Sequence, residues 1–284
     1  MLHSRRRTLL THKMLGPPGA RVFVADGRAP CVLGLHGFTG TASELRPLVD
    51  TIARHGYAVD VPLMAGHGDA PDALQGLGFD DWVKSARERF DALAARYGKV
   101  VLCGFSLGSL VAMHLAAERP AALAGLIVLG NALELHPYSS VPFAAIDRLG
   151  LRMPDWYLVK FRAADMRDRG AAAKIATYDR HPLRAAFEVY LAGKRVRREV
   201  ERIVCPTLVL HGQRDLVCRP SNARWLADHV GAKDVTVRVY ANSGHVVAAD
   251  FDKDAVARDV VRFLDRIAAT RAADSQSGGK AGSF

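Results

Sequence analysis

The sequence contains no apolar run approaching the ~18 residues that a membrane-spanning helix requires. No integral membrane segment is expected. The start is basic (Arg5-Arg6-Arg7), but the apolar stretch behind it, Leu9-Leu10, is cut off at once by Thr11, His12 and Lys13. That is too short for the apolar region of a secretory signal and points to a cytoplasmic protein. Cysteine is scarce and unpaired. Cys31, Cys103, Cys205 and Cys218 form no Cys-x-x-Cys pair and no zinc-ligand spacing, so neither a metal site nor a dithiol redox motif is expected. Cys31, Cys103 and Cys205 sit in or beside apolar runs, as small buried hydrophobes in a reducing compartment do. No internal repeat or low-complexity array is present, which excludes solenoids and propellers.

What the chain has in excess is positive charge, a net +10. The basic residues are dispersed, with denser groups only at Arg5 to Arg7 and Lys194 to Arg198. In the second group Val196, Val200 and Ile203 recur at near-helical spacing, so the charges read as the solvated face of one helix. No nucleic-acid partner is expected. With 284 residues, 49% of them hydrophobic, the chain suits a single α/β domain carrying an insertion.

After residue 30, short apolar runs alternate with amphipathic stretches. Strands are predicted at Cys31 to Leu35, Tyr57 to Leu63, Lys99 to Cys103, Leu123 to Leu129, Thr207 to Leu210 and Val235 to Tyr240. Helices are predicted at Ser43 to His55, from an Asp80 or Asp81 cap to Tyr97, at Ser106 to Glu118, Ala223 to His229 and Ala255 to Ile267. This alternation predicts a mostly parallel central sheet flanked by helices. The rhythm breaks between residues 131 and 203. That stretch is helical in pattern but carries Pro137, Pro142, Pro154 and Pro182. It predicts a small helical cap at the C-terminal edge of the strands, where open α/β sheets bind ligands. The chain divides accordingly into an N-terminal segment (1–30), a core (31–130 and 204–268), the cap (131–203) and a Ser/Gly-rich disordered tail (269–284).

The stretch Gly104-Phe105-Ser106-Leu107-Gly108 lies between a predicted strand and a predicted helix. In that setting Gly-x-Ser-x-Gly is a strained turn that pushes the serine hydroxyl out of the sheet, with glycines where side chains would clash. Ser106 also lands at a helix N-terminus, which favours developing negative charge. A serine hydroxyl is a poor nucleophile until a base takes its proton and a third group orients that base. The chain order in such a fold is serine, acid, histidine, each after a strand. Asp215 follows the Thr207 strand, and His245 follows the Val235 strand in Ala241-Asn242-Ser243-Gly244-His245. For the oxyanion, the N–H of Leu107 and that of Phe38, in the loop His36-Gly37-Phe38-Thr39-Gly40, are the expected donors. His36 is expected to brace that loop, His67 to shape the pocket rim, and His211 to be structural. Asp69 and Asp72 read as loop residues, and Asp250 as a stand-in acid less well presented than Asp215.

Together with Gly66-His67-Gly68, these motifs resemble an α/β-hydrolase, in particular the bacterial carboxylesterases of the monoacylglycerol-lipase-like group. The resemblance spans about residues 30 to 268 and implies a cap inserted after the sixth strand. It implies hydrolysis of carboxylic esters through an acyl-serine intermediate, with no cofactor and no metal. The implied catalytic residues are Ser106, Asp215 and His245, with Phe38 and Leu107 at the oxyanion hole. The expected partner is a small apolar ester of short to medium acyl chain, with monoacylglycerols as candidates. An acyltransferase or thioesterase would use the same machinery, and a non-catalytic ligand-binding module would share the fold.

Overall fold

The computed structural model describes residues 14–15, 22–160 and 164–278. Seven strands form the central sheet: β1 (Phe23–Ala25), β2 (Arg28–Leu35), β3 (Tyr57–Val61), β4 (Val100–Phe105), β5 (Leu123–Leu129), β6 (Thr207–Gly212) and β7 (Val235–Tyr240). Their order across the sheet is β7-β6-β5-β4-β2-β3-β1. All neighbours pair in parallel except β1, which runs antiparallel to β3 at the edge. The predicted sheet is therefore present, with one strand more than periodicity indicates. Three residues are too few to show an alternation, and β1 occupies the segment before residue 31 that carries no predicted element.

Successive side chains of a strand point to opposite faces, and the core divides accordingly. Leu33, Leu35, Leu102, Leu126, Val128 and Val209 face α2 (Phe79–Tyr97) and α3 (Leu107–Ala117). Val32, Val101, Cys103, Ile127, Leu129, Leu208 and Leu210 face α1 (Arg46–Arg54) and the last helix (Lys253–Gly278). Each fully buried aliphatic side chain of this kind contributes about 1.5–3 kcal/mol. Helix α3 is mostly apolar, and every one of its residues is buried, Ser109 and His114 included, because it lies between the sheet and outer helices. Pro47 sits at the start of α1, where its missing N–H costs nothing. At α2 the cap differs from expectation. Gly78 is the N-cap, and Asp81 accepts from the Gly78 N–H at 2.9 Å from inside the first turn.

The insertion leaves the central sheet after β5, its fifth strand in chain order; a count of six is reached only with Met14–Leu15, which pairs outside that sheet. It holds α4 (Pro137–Arg148) and α5 (Leu183–Arg197), but it is not purely helical. Tyr157–Val159 pairs antiparallel with Arg180–Pro182, and Thr177–Tyr178 pairs with Met14–Leu15. No residue of α4 is buried, and Leu149 and Trp156 are each 69% exposed. Phe143 packs on Phe187 and Tyr190 of α5 within the insertion, all three rings partly exposed. Val196, Val200 and Ile203 are buried as expected, while Lys194, Arg195 and Arg197 pair with Asp147, Asp80 and Glu134. Two helices complete the fold, α6 (Ser221–His229) and α7 (Lys253–Gly278). The latter continues past Ile267 through residues that composition assigns to the tail. No described helix is long and apolar enough to cross a membrane.

Candidate active site

Three strand ends converge at one edge of the sheet. Between β4 and α3, Ser106 adopts φ 52°, ψ −118°, a conformation costly for any residue with a Cβ. The flanking glycines permit it. A Cβ on Gly104 would lie 2.2 Å from Gly108 O, and one on Gly108 would lie 2.1 Å from Leu35 O at the end of β2. The Gly108 N–H donates to His36 O at 3.1 Å, which locks the turn against the neighbouring strand end.

Asp215 follows β6 and His245 follows β7. The side chains meet in a line: His245 Nε2 is 2.9 Å from Ser106 Oγ, and His245 Nδ1 is 2.7 Å from Asp215 Oδ2. Asp215 Oδ1 accepts from the Val217 and Cys218 N–H groups, both at 2.8 Å. Ser106, His245 and Asp215 are 8%, 6% and 3% exposed, so water competes little for these bonds. Burial pushes the Asp215 carboxyl upward, but the charge of His245 and the contacts with His245 and His211 outweigh it, holding the acid well below the ordinary carboxylate range. Burial likewise opposes protonation of His245. The charge and hydrogen bond of Asp215 overcome it, with smaller contributions from Asp165 and Glu44, and the imidazole titrates above its ordinary value.

The loop after β2 lies against the same turn, and a Cβ on Gly37 would come within 2.9 Å of the Phe105 ring. Among the described residues neither the Phe38 N–H nor the Leu107 N–H has a hydrogen-bond partner. The loop rests on two buried histidines. His36 Nε2 accepts from the Met64 N–H, and His67 Nε2 accepts from the Thr39 N–H, both at 3.1 Å. Each ring is thereby held with its proton on Nδ1, which faces Gly37 O in His36 and Ala65 O in His67. Burial drives His36 down to about 4 and His67 well below its ordinary value, so both are neutral braces. Beside them the rings of Phe38, Trp82, His181 and Tyr178 form an aromatic wall, with His181 stacked on Phe38 at 5.4 Å.

Asp250 does not approach the imidazole as an acceptor. Its carboxylate takes the N–H groups of Arg167, Asp168, Gly244 and Phe251, which ties the cap to the loop bearing His245. Among the described residues the one group with metal-ligand proximity is Asp215, Cys218 and His245, whose ligand atoms lie within 4.8 Å. Two of these are bonded to each other, and burial first, then Asp215, pushes the Cys218 thiol well above its ordinary range. The group fits a proton relay better than a cation.

Sequence patterns did not single out Glu44, Lys160 or Asp165. Asp165 accepts from the Leu216 N–H at 2.8 Å and is pushed upward by burial. Thr41-Ala42-Ser43-Glu44 has the spacing of a helix capping box. The Glu44 carboxylate turns instead to the Gly37 N–H at 2.7 Å, a choice visible only in three dimensions.

This fold and this convergence of strand ends define an α/β-hydrolase. A family model described as serine aminopeptidase, S33, matches residues 28–252, and the chain belongs to that family. It is 27% identical to a thermostable monoacylglycerol lipase of Bacillus sp. (strain H-257), over 87% of this chain and 94% of that one. It is 24% identical to a carboxylesterase of Bacillus subtilis, over 86% and 96%. Among solved structures, a metagenome-derived lipolytic enzyme of the LipS and LipT study superposes with a TM-score of 0.80 at 26% identity, covering 88% of this chain and 99% of that one.

Proposed function

We propose that the protein hydrolyses carboxylic esters, with Ser106 as nucleophile, His245 as general base and acid, and Asp215 as the group that orients and stabilises the imidazolium. The observation that carries this is the unbroken line Asp215–His245–Ser106, at 2.7 and 2.9 Å, built from three separate strand ends. Ser106 Oγ attacks the ester carbonyl carbon while His245 Nε2 takes its proton. The carbonyl oxygen becomes an oxyanion that accepts from the Phe38 and Leu107 N–H groups. The intermediate collapses, the C–O bond to the alcohol breaks, and His245 returns the proton to the leaving oxygen. Water then repeats the sequence on the acyl-serine, releasing the acid and restoring the hydroxyl. Each oxyanion donor in such a site is typically worth roughly a hundred- to a thousandfold in rate.

Two observations favour an apolar ester. The bacterial relatives are named for monoacylglycerols and carboxylic esters. Phe38, in the oxyanion loop, is only partly buried and presents an apolar ring there, backed by the buried rings of Trp82 and Tyr178, which suits an apolar group at that point. A thioester or an acyl transfer to alcohol uses the same relay, so the substrate is tested directly. Wild-type protein is given p-nitrophenyl esters from acetate to palmitate, a monoacylglycerol and an acyl thioester, with and without added alcohol, and is separately labelled with a fluorophosphonate. The expected result is ester turnover and a single adduct on Ser106, both absent from Ser106→Ala. A folded wild-type protein that takes no adduct would overturn the assignment in favour of a ligand-binding module.

A further inference from the structure

Two charges at the site have no part in the relay. Lys160 stands in the cap, directly after the Tyr157–Val159 strand, and its Nζ donates to Thr39 Oγ1 and Thr177 Oγ1, both at 2.6 Å. Thr177 Oγ1 passes the grip on by donating to Thr39 O at 2.9 Å, and the Tyr178 N–H donates to the same carbonyl at 3.0 Å. With its N–H on His67, Thr39 has every polar group engaged. Its φ of 61° is the left-handed conformation that a β-branched residue adopts only when its surroundings impose it. On the other side of Phe38, Glu44 accepts from the Gly37 N–H at 2.7 Å. That carboxylate lies so close beneath the loop that a Cβ on Gly40 would come within 2.2 Å of it. The residues on both sides of Phe38 are thus each held by a charged side chain.

We propose that Lys160 and Glu44 are positioning residues for the oxyanion hole: the cap ammonium, acting through Thr39, and the buried carboxylate, acting through Gly37, aim the Phe38 N–H at the carbonyl oxygen of the ester. Enclosing either charge alone is costly, and an opposite charge offsets part of that cost. Burial lowers the Lys160 ammonium to about 8 against the pull of Glu44 and Asp179, and raises Glu44 to about 7 against the Gly37 N–H and Lys160. A fold gains little from such a pair where an apolar contact would serve. Charge-assisted hydrogen bonds are short and directional, which suits the aiming of a peptide group. Because Lys160 belongs to the cap, the oxyanion loop reaches its working geometry only when the cap is seated.

The inference rests on the ester-hydrolase reading, and its test separates the two. Lys160→Met, Thr39→Val and their double variant are compared with wild type on p-nitrophenyl butyrate. Inhibition is measured with a trifluoromethyl ketone, which forms an oxyanion on the serine, and with a primary alcohol, which does not. Lys160→Met is expected to lower kcat roughly ten- to a hundredfold, part of the loss of a whole donor, with KM and alcohol inhibition within about threefold of wild type. Ketone affinity should fall by the same factor as kcat/KM. Thr39→Val should show the same split, and the double variant should lose little more than either single one. If Lys160→Met does not fold, Thr39→Val carries the same comparison. A folded variant with wild-type kcat, or one that loses ketone and alcohol binding alike, overturns the inference while leaving the hydrolase reading intact. Absence of wild-type turnover and labelling overturns that reading itself.

Discussion

His211 Nε2 lies 2.8 Å from Asp215 Oδ2, the same oxygen that lies 2.7 Å from His245 Nδ1. His211 is completely buried, and its nitrogens are off the line of a well-directed hydrogen bond, so the contact is chiefly electrostatic. Asp215 keeps two backbone donors and His245 without it. His211→Leu should therefore cost roughly tenfold in kcat, the scale of one contact to a charged group. A steady-state assay checks this, and a loss as large as that of an Asp215 variant would place His211 inside the relay.

The two nearby acids should separate cleanly. Asp215→Asn leaves an amide where the Nδ1–H of His245 needs an acceptor, and should lower kcat by about 10⁴. Ser106→Ala should lose more, since it removes the proposed nucleophile. Asp250→Asn disturbs a carboxylate that accepts four backbone N–H groups. It should lower the melting temperature while the folded fraction retains measurable turnover. Near-native activity in Asp215→Asn would reverse these assignments.

The pH profile follows from the sign of one shift. As the proposed base His245 would act only when neutral, and Asp215 raises its pKa above the ordinary histidine value. Activity should fall as pH drops through a midpoint above about 6.5. In Asp215→Asn the residual activity should have its acidic limb at lower pH, because the charge that stabilised the imidazolium is gone. A profile of kcat/KM against pH for both proteins reads this directly.

Acid stability should carry a second signature. His36 is buried neutral, with its pKa driven from the ordinary 6.5 to about 4. Below about pH 6.5 the unfolded chain takes up a proton that the folded one refuses, so stability falls until pH passes below about 4. For His36 alone the loss is on the order of 3 kcal/mol, and His67 adds in the same direction. Thermal melts between pH 7 and 4 should show a drop of several degrees, about 2–4 °C per kcal/mol for a chain of this size. His36→Asn should flatten that slope.

The sheet was legible in the chain because strand and helix periods repeat locally, and the strained turn at Ser106 because Gly-x-Ser-x-Gly after an apolar run is a local motif; Asp215 and His245 could be read only as residues that each follow a strand. The apolar runs Cys31 to Leu35 and Leu123 to Leu129 read as strands, and Gly104 and Gly108 read as a close approach, without knowledge of any partner. Phe23–Ala25 was not legible, being too short to show a period. The ladder inside the cap was not legible either, because its pairing joins residues more than twenty apart in the chain.

By itself, the sequence determined that an α/β sheet would present a serine at a strained turn, since backbone sterics and side-chain alternation act within a few residues. Tertiary structure alone decided how the remaining polar groups were shared out. It assigned Asp250 to four backbone amides, turned Glu44 from its own helix to Gly37, and brought Lys160 across from the cap to Thr39. A carboxylate or ammonium can satisfy itself with many donors or acceptors, and only the packing of distant elements determines which of them is within reach.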